Sequence, residues 1–299
     1  MVTSSVQETR VWFITGCSSG FGRPLAETAL ERGETVVLTA RNPQQVEDLA
    51  ARFPDRTLAV QLDVTKPEEV REAVKKAIAN FGRIDVLVNN AGCEVAGILE
   101  EVSDEAVRRQ FETNFFGVLD ILRVVLPHMR QQRSGHILNI SSAACFEASA
   151  GEGIYISSKL ALEGISGSLA NEVRHFGIKV TMVEPGVFRT DFFNKSHVLV
   201  DTKIDEYKPI VNDMSQWVRD VRDMKIKLPG DPRKAALAMI KAVDSDNPPL
   251  RLALGADAVE IIDAALEFIK GGLDAWREVS LSTDFDEVVA DKTQVATLG

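Results

Sequence analysis

Seven short apolar runs, each followed by a stretch with helical periodicity, constrain this chain more than any other feature. The runs are Arg10–Thr15, Val36–Ala40, Thr57–Leu62, Ile84–Val88, Gly135–Ile140, Ile178–Val183 and Leu250–Leu254. Apolar residues at consecutive positions suit a strand covered on both faces. The stretches between them read as helices. Pro67–Phe81 sets Val70, Val74, Ala77, Ile78 and Phe81 on one face, and Pro43 suits the first turn of a helix to Phe53. Strand and helix alternate without a break, which predicts an α/β fold. Right-handed crossovers make it a doubly wound, parallel, seven-stranded sheet in three layers, α/β/α. No Pro/Gly/Ser-rich linker divides the 299 residues, so a single domain is expected. Residues 188–230 would be an inserted lid and 271–299 a C-terminal extension without periodicity.

Bulk properties narrow the function. A net charge of −10 repels phosphate backbones, so no nucleic acid partner is expected. Met1–Arg10 lacks the apolar core of a signal peptide, and no apolar run approaches the ~20 residues of a membrane span. Cys17, Cys93 and Cys145 form no CxxC, and no histidine stands at metal-ligand spacing to a cysteine or another histidine. The reading is a cytoplasmic protein with no membrane partner and no metal.

In such sheets ligands bind beyond the carboxyl ends of the strands, and the chemistry-bearing residues cluster there. After the first run comes Thr15-Gly16-Cys17-Ser18-Ser19-Gly20-Phe21-Gly22. Amides at a helix N-terminus attract anions, and glycines let a pyrophosphate approach. The spacing is neither G-x-G-x-x-G nor a P-loop. Gly16–Gly20 also fits the G-x-S-x-G elbow of serine hydrolases, but His175 and His197 have no acid partner by position. The second run ends at Ala40 and Arg41. A carboxylate there would repel a 2′-phosphate, whereas a guanidinium pairs with one, so NADP(H) is expected over NAD(H). Further on, Tyr155 and Lys159 lie one helical turn apart, with Ser142 thirteen residues before Tyr155. An ammonium beside a phenol favours phenolate and lowers its pKa, which would suit Tyr155 to acid/base work.

TGxxxGxG at Thr15–Gly22, NNAG at Asn89–Gly92, Asn114, Ser142, Tyr155-x3-Lys159 and Pro185-Gly186 occur in this order. The chain resembles the short-chain dehydrogenase/reductase family over about residues 9–270, with its Rossmann-like fold. The resemblance implies a ketone or aldehyde interconverted with an alcohol by hydride transfer. Tyr155 would exchange a proton with the substrate oxygen, and Ser142 would hydrogen-bond that oxygen. Lys159 would lower the pKa of Tyr155 and hold the nicotinamide ribose, while Asn114 would hold a relay water. Gly16, Ser18, Ser19, Gly20, Phe21 and Gly22 would cradle the phosphates. Asp63 and Val64 would sit by the adenine, Asn90, Ala91 and Gly92 by the adenosine ribose, and Pro185, Gly186, Val187 and Thr190 by the nicotinamide. Asp63 also reads as a turn residue, and Asn89 as a strand end bonded to backbone. A non-catalytic NADPH-binding sensor on the same fold is the alternative, against which the intact catalytic set speaks.

Phe192, Phe193, Tyr207, Met214 and Trp217 in the lid suit an apolar or ring-bearing substrate, or pack the lid to the body. Glu94 and Glu147 read as solvated loop acids and Cys145 as a small filler. Residues 104–131 hold more apolar residues, Phe111, Phe115, Phe116 and Leu119 among them, than one core-facing stripe needs. With the resemblance, this predicts a homodimer or homotetramer.

Overall fold

In the computed structural model, which describes residues 9–285, the seven runs form one parallel sheet. The strands are β1 (Val11–Ile14), β2 (Thr35–Ala40), β3 (Thr57–Gln61), β4 (Val86–Asn89), β6 (Gly135–Ile140), β7 (Ile178–Pro185) and β9 (Arg251–Leu254). Their order is β3-β2-β1-β4-β6-β7-β9, all neighbours parallel. The winding reverses between β1 and β4, so the loops after these two strands open a crevice at the carboxyl edge. The fold is thus the doubly wound Rossmann-like sheet that the repeat predicts.

Period-two alternation splits the core in two. Trp12, Ile14, Val36 and Leu38 point to one face, under α1 (Gly22–Glu31) and α9 (Pro232–Asp244), where they meet Leu25, Leu30 and Met239. Phe13, Val37, Leu87 and Ile137 point to the other. There they meet α3 (Pro67–Phe81), α5 (Gly117–Gln132) and α6 (Gly153–Val173) through Val74, Ile121, Val125 and Leu162. Each such large side chain removed from water stabilises by ~1.5–3 kcal/mol.

Three features differ from the sequence reading. A second sheet pairs β5 (Glu94–Ala96) with β8 (His197–Leu199) in parallel, tying residues 188–230 to the loop after β4. A π-turn, Glu112–Phe116, joins α4 (Asp104–Phe111) to α5. The extension from residue 271, read without periodicity, begins as helix: the helix after the last strand, α10, runs Ala256–Ala275, and α11 runs Arg277–Leu281. Residues 286–299 of that extension lie outside the described residues. Between β7 and α9 lie α7 (Phe192–Lys195), β8 and α8 (Lys208–Arg222).

Candidate active site

The glycine loop is built by clashes that only glycine avoids. Gly16 and Gly20 have φ of +71° and +61°, the left-handed region. A Cβ on Gly22 would stand 2.4 Å from the Gly16 carbonyl oxygen and 2.6 Å from Asn90 Nδ2. The first-turn amides of α1, those of Gly22 and Arg23, have no helical acceptor. Thr15 Oγ1 accepts from the backbone N–H of Asn90 (2.8 Å) and of Ala91 (2.9 Å). The Asn90 side chain donates to Thr15 O (2.7 Å) and Gly16 O (3.1 Å). The Asn90 side chain therefore braces the loop after β4 against the glycine loop. Asn89 likewise bonds a side chain, Asn139 Oδ1 at 2.8 Å, rather than backbone.

A cleft of about 420 Å³ opens from this loop, lined by Ser18, Ser19 and Gly20 on one side and Thr190 and Phe193 on the other. Phe21 packs edge-on against Phe188 at 5.0 Å. Pro185 ends β7, and the next amide in this turn to bond a side chain is that of Val187, which donates to Asp257 (2.7 Å). Gly186 has no room for a Cβ, which would meet the Asp257 carboxylate at 2.2 Å. Arg41 is exposed just beyond β2. The Asp63 carboxylate caps a turn, accepting from Thr65 N and Oγ1 (3.0 and 2.8 Å), and Val64 is buried. Asp63 is thus at least the turn residue that the sequence allowed.

The four expected catalytic residues come from the π-turn before α5, the loop after β6 and the first turns of α6. Ser142 follows β6 and accepts from Ala144 N at 3.1 Å. Tyr155 and Lys159 project from α6, with Lys159 Nζ 5.8 Å from the Tyr155 ring centroid and donating to Ile140 O at 2.7 Å. The π-turn aims Asn114 inward, where only 1% of its surface is exposed. Its amide bonds Cys93 N (3.0 Å), Cys93 O (2.9 Å) and Ser158 Oγ (3.0 Å). A Cβ on Gly92 would lie 3.4 Å from Asn114 Oδ1 and 3.6 Å from Lys159 Nζ, so these three residues share one small space.

Electrostatics correct one expectation. The Tyr155 phenol lies above its ordinary pKa, not below it: burial raises it, the Glu94 charge adds to this, and the Ser142 hydroxyl only partly offsets them. Burial brings Lys159 down to about 8, so its ammonium is itself only weakly favoured there. Lys159 is aimed at a backbone carbonyl, and desolvation outweighs its pull on the phenol. Glu94 is a second correction. It is buried on β5 beside His197, its Oε1 3.9 Å from His197 Nε2, and burial pushes its carboxyl up to about 8. Glu147, in contrast, is exposed. Cys145 is raised to about 12, first by burial, which suits a filler rather than a reactive thiol. Sequence reasoning missed the roles of Thr15 and Asp257; the Thr preceding the glycines was the available signal for the first.

Segment 188–230 reaches the Tyr155 ring through Phe192. Phe192 stands 6.5 Å from the Tyr155 ring, and Phe193 packs edge-on against Trp217 at 5.1 Å. A Cβ on Gly151 would meet Met214 Cε at 2.5 Å, so Met214 does pack this segment onto the body.

Comparison with known proteins agrees with the fold. The sequence profile of the short chain dehydrogenases matches residues 10–198. An oxidoreductase, BOA17, of Botryotinia fuckeliana is 40% identical over 276 residues, 92% of this chain and 99% of its own. A 3-ketodihydrosphingosine reductase of Bacteroides thetaiotaomicron is 37% identical over 83% of this chain and 88% of its own. A crystal structure of a short-chain dehydrogenase from Streptomyces avermitilis superimposes with a TM-score of 0.86 at 43% identity, covering 93% of this chain and all of that one. An alcohol dehydrogenase from Thermococcus sibiricus, complexed with 5-hydroxy-NADP, superimposes with a TM-score of 0.68 at 25% identity, over 83% and 96%. This chain therefore belongs to the short-chain dehydrogenase/reductase family of oxidoreductases. Among the described residues no cluster of His, Cys, Asp and Glu could hold a metal, and no helix is long and apolar enough to cross a membrane.

Proposed function

We propose that the protein is an NADP(H)-dependent carbonyl reductase or alcohol dehydrogenase acting on an apolar or ring-bearing substrate. The observation that carries this reading is the meeting of Ser142, Tyr155 and Lys159 in a half-buried site whose phenol is held protonated. A dinucleotide suits the glycine cradle, where a Cβ at Gly22 would strike backbone. The first-turn amides of α1 would hold its phosphates, and Arg41 a 2′-phosphate. NADPH bound there supplies the hydride. Tyr155, protonated at neutral pH, would donate its proton to the carbonyl oxygen, while the Ser142 hydroxyl stabilises the developing alkoxide. Lys159 orients toward the same space and supplies positive charge below about pH 8. Asn114 fixes the Cys93 backbone and would seat a relay water.

Segment 188–230 is the lid, and Phe192, Phe193 and Trp217 form its apolar lining. A long-chain ketone or a ring-bearing ketone suits that surface, and the name of the Bacteroides relative points the same way. We also place a twofold contact on the face of α4 and α5, where Phe116 is 46% exposed. The test is NADPH and NADH oxidation across a panel of apolar ketones and aldehydes, with wild type and Arg41→Asp. Losing a charge-assisted contact costs about 1.5–3 kcal/mol, roughly a 10- to 100-fold rise in KM for NADPH, with NADH gaining. An NADPH preference untouched by Arg41→Asp would overturn the cofactor assignment.

A further inference from the structure

Among the described residues, the C-terminal helices beyond residue 265 are covered by no other element, which the oxidoreductase site does not explain. The root of α10 packs on the body through buried Ala258, but every residue from 266 to 285 is exposed. Among them are Leu266 (57%), Phe268 (84%), Ile269 (61%), Leu273 (53%) and Trp276 (66%). Contiguous apolar surface of this kind marks an interaction site. We propose that α10 and α11 form an arm that pairs, antiparallel, with the arm of a second copy of this chain.

The sequence of the helix points to that occupant. Val259, Ile262, Leu266, Ile269, Leu273 and Trp276 follow one another at alternating intervals of three and four, the seam of a two-helix pair. The seam is symmetric about its middle, between Glu267 and Phe268. Two antiparallel copies of α10 therefore set Ile262 against Leu273 and Leu266 against Ile269, each layer occurring twice, with Val259 opposite Trp276, the residue at which α10 gives way to α11. One flank of the seam carries Ala265 and Gly272, small enough for the backbones to approach. The other flank carries Asp263, Lys270 and Arg277, and in the same register Asp263 of each copy lies beside Arg277 of the other. Arg277 bonds Asp274 at 2.7 Å within its own chain, leaving its remaining donors for that contact.

Charge argues against a bilayer as the occupant. Asp257, Glu260, Asp263, Glu267, Asp274 and Glu278 outnumber Lys270 and Arg277 on these helices, whereas interfacial membrane helices carry lysine and arginine on their polar face. The arm follows β9, the terminal strand of the sheet opposite β3, and so lies apart from the Phe116 face. Pairing through it adds a twofold step to whatever that face forms.

The test is the mass of the full chain by light scattering and sedimentation. Compared with wild type are Leu266→Glu/Ile269→Glu/Leu273→Glu, Asp263→Arg, Arg277→Asp and the double charge exchange. The triple variant is expected to halve the assembly mass with unchanged circular dichroism. Each single exchange should raise the dissociation constant of that step at least tenfold, and the double exchange should restore it. An unchanged mass in the triple variant overturns the proposal, and if that variant misfolds, failure of the double exchange to restore pairing overturns it. So does an unchanged mass accompanied by arm-dependent flotation with phosphatidylserine vesicles.

Discussion

At the scale of single residues, the environment of Tyr155 inverts the simplest account of it. A Tyr and a Lys one turn apart suggest a phenol made acidic by its neighbour, yet burial and Glu94 hold the proton on. The phenol therefore carries the proton that the reductive direction consumes, and burial makes that proton harder, not easier, to release. Lys159 sets the upper pH limit. Its ammonium, brought down to about 8 by burial, is present below that pH and lost above it. Reductase kcat/KM is expected to fall as pH rises through about 8, measured with saturating NADPH. Glu94 also titrates near 8, so Glu94→Gln separates the two: a bend that survives in this variant belongs to Lys159, and one that vanishes belongs to Glu94. The catalytic residues themselves were legible from sequence because their order and spacing are short-range facts. The burial of Glu94 was not, since it depends on pairing with His197 about a hundred positions away.

Among the elements, the glycine loop and its brace act as one part. Thr15 and Asn90 tie the loop after β4 to the loop after β1 through four hydrogen bonds, so the cradle is fixed before any ligand enters. Gly22→Ala drives a Cβ into backbone at 2.4 Å, and overpacking of this kind costs about 1–3 kcal/mol. The expected outcome is at least a tenfold loss of NADPH affinity by fluorescence titration, with the sheet intact by circular dichroism; undiminished affinity would mean that the loop does not hold the phosphates. Long elements with clear periodicity were readable: α3 spans Pro67–Phe81, as its apolar face predicts. The three-residue strands β5 and β8 are too short to show a period. The π-turn that aims Asn114 has no local sequence signal. The helix α10 runs through Gly271-Gly272 to Ala275, absorbing the roughly 1 kcal/mol that each glycine costs in a helix.

For the molecule as a whole, two buried histidines couple the fold to acid. His136 lies inside the sheet on β6, its Nε2 3.0 Å from Thr181 Oγ1. Burial first, then Lys179 and Arg10, bring its pKa down to about 4; burial and Arg222 do the same to His197. The unfolded chain takes up these protons near pH 6.5 and the folded chain only near 4, so stability is full above 6.5 and is lost as pH falls toward 4. The loss is roughly 3 kcal/mol per group at most. Glu94 acts in the opposite sense, since its folded form binds a proton at about 8 and the unfolded form near 4.5. A comparison with His136→Gln isolates the histidine. Urea midpoints of the wild type should fall more steeply between pH 6.5 and 4 than those of the variant, and parallel curves would show that His136 is not the source.

The account rests on Tyr155 as the proton donor of a carbonyl reduction, and one substitution addresses it most directly. Tyr155→Phe removes the hydroxyl and leaves the ring against Phe192 and Lys159. Single-turnover hydride transfer from NADPH to a turned-over ketone should fall by about 10²–10⁴-fold, while the NADPH dissociation constant stays within about twofold. Wild-type transfer rates in the Phe variant, with NADPH bound as before, would contradict the account.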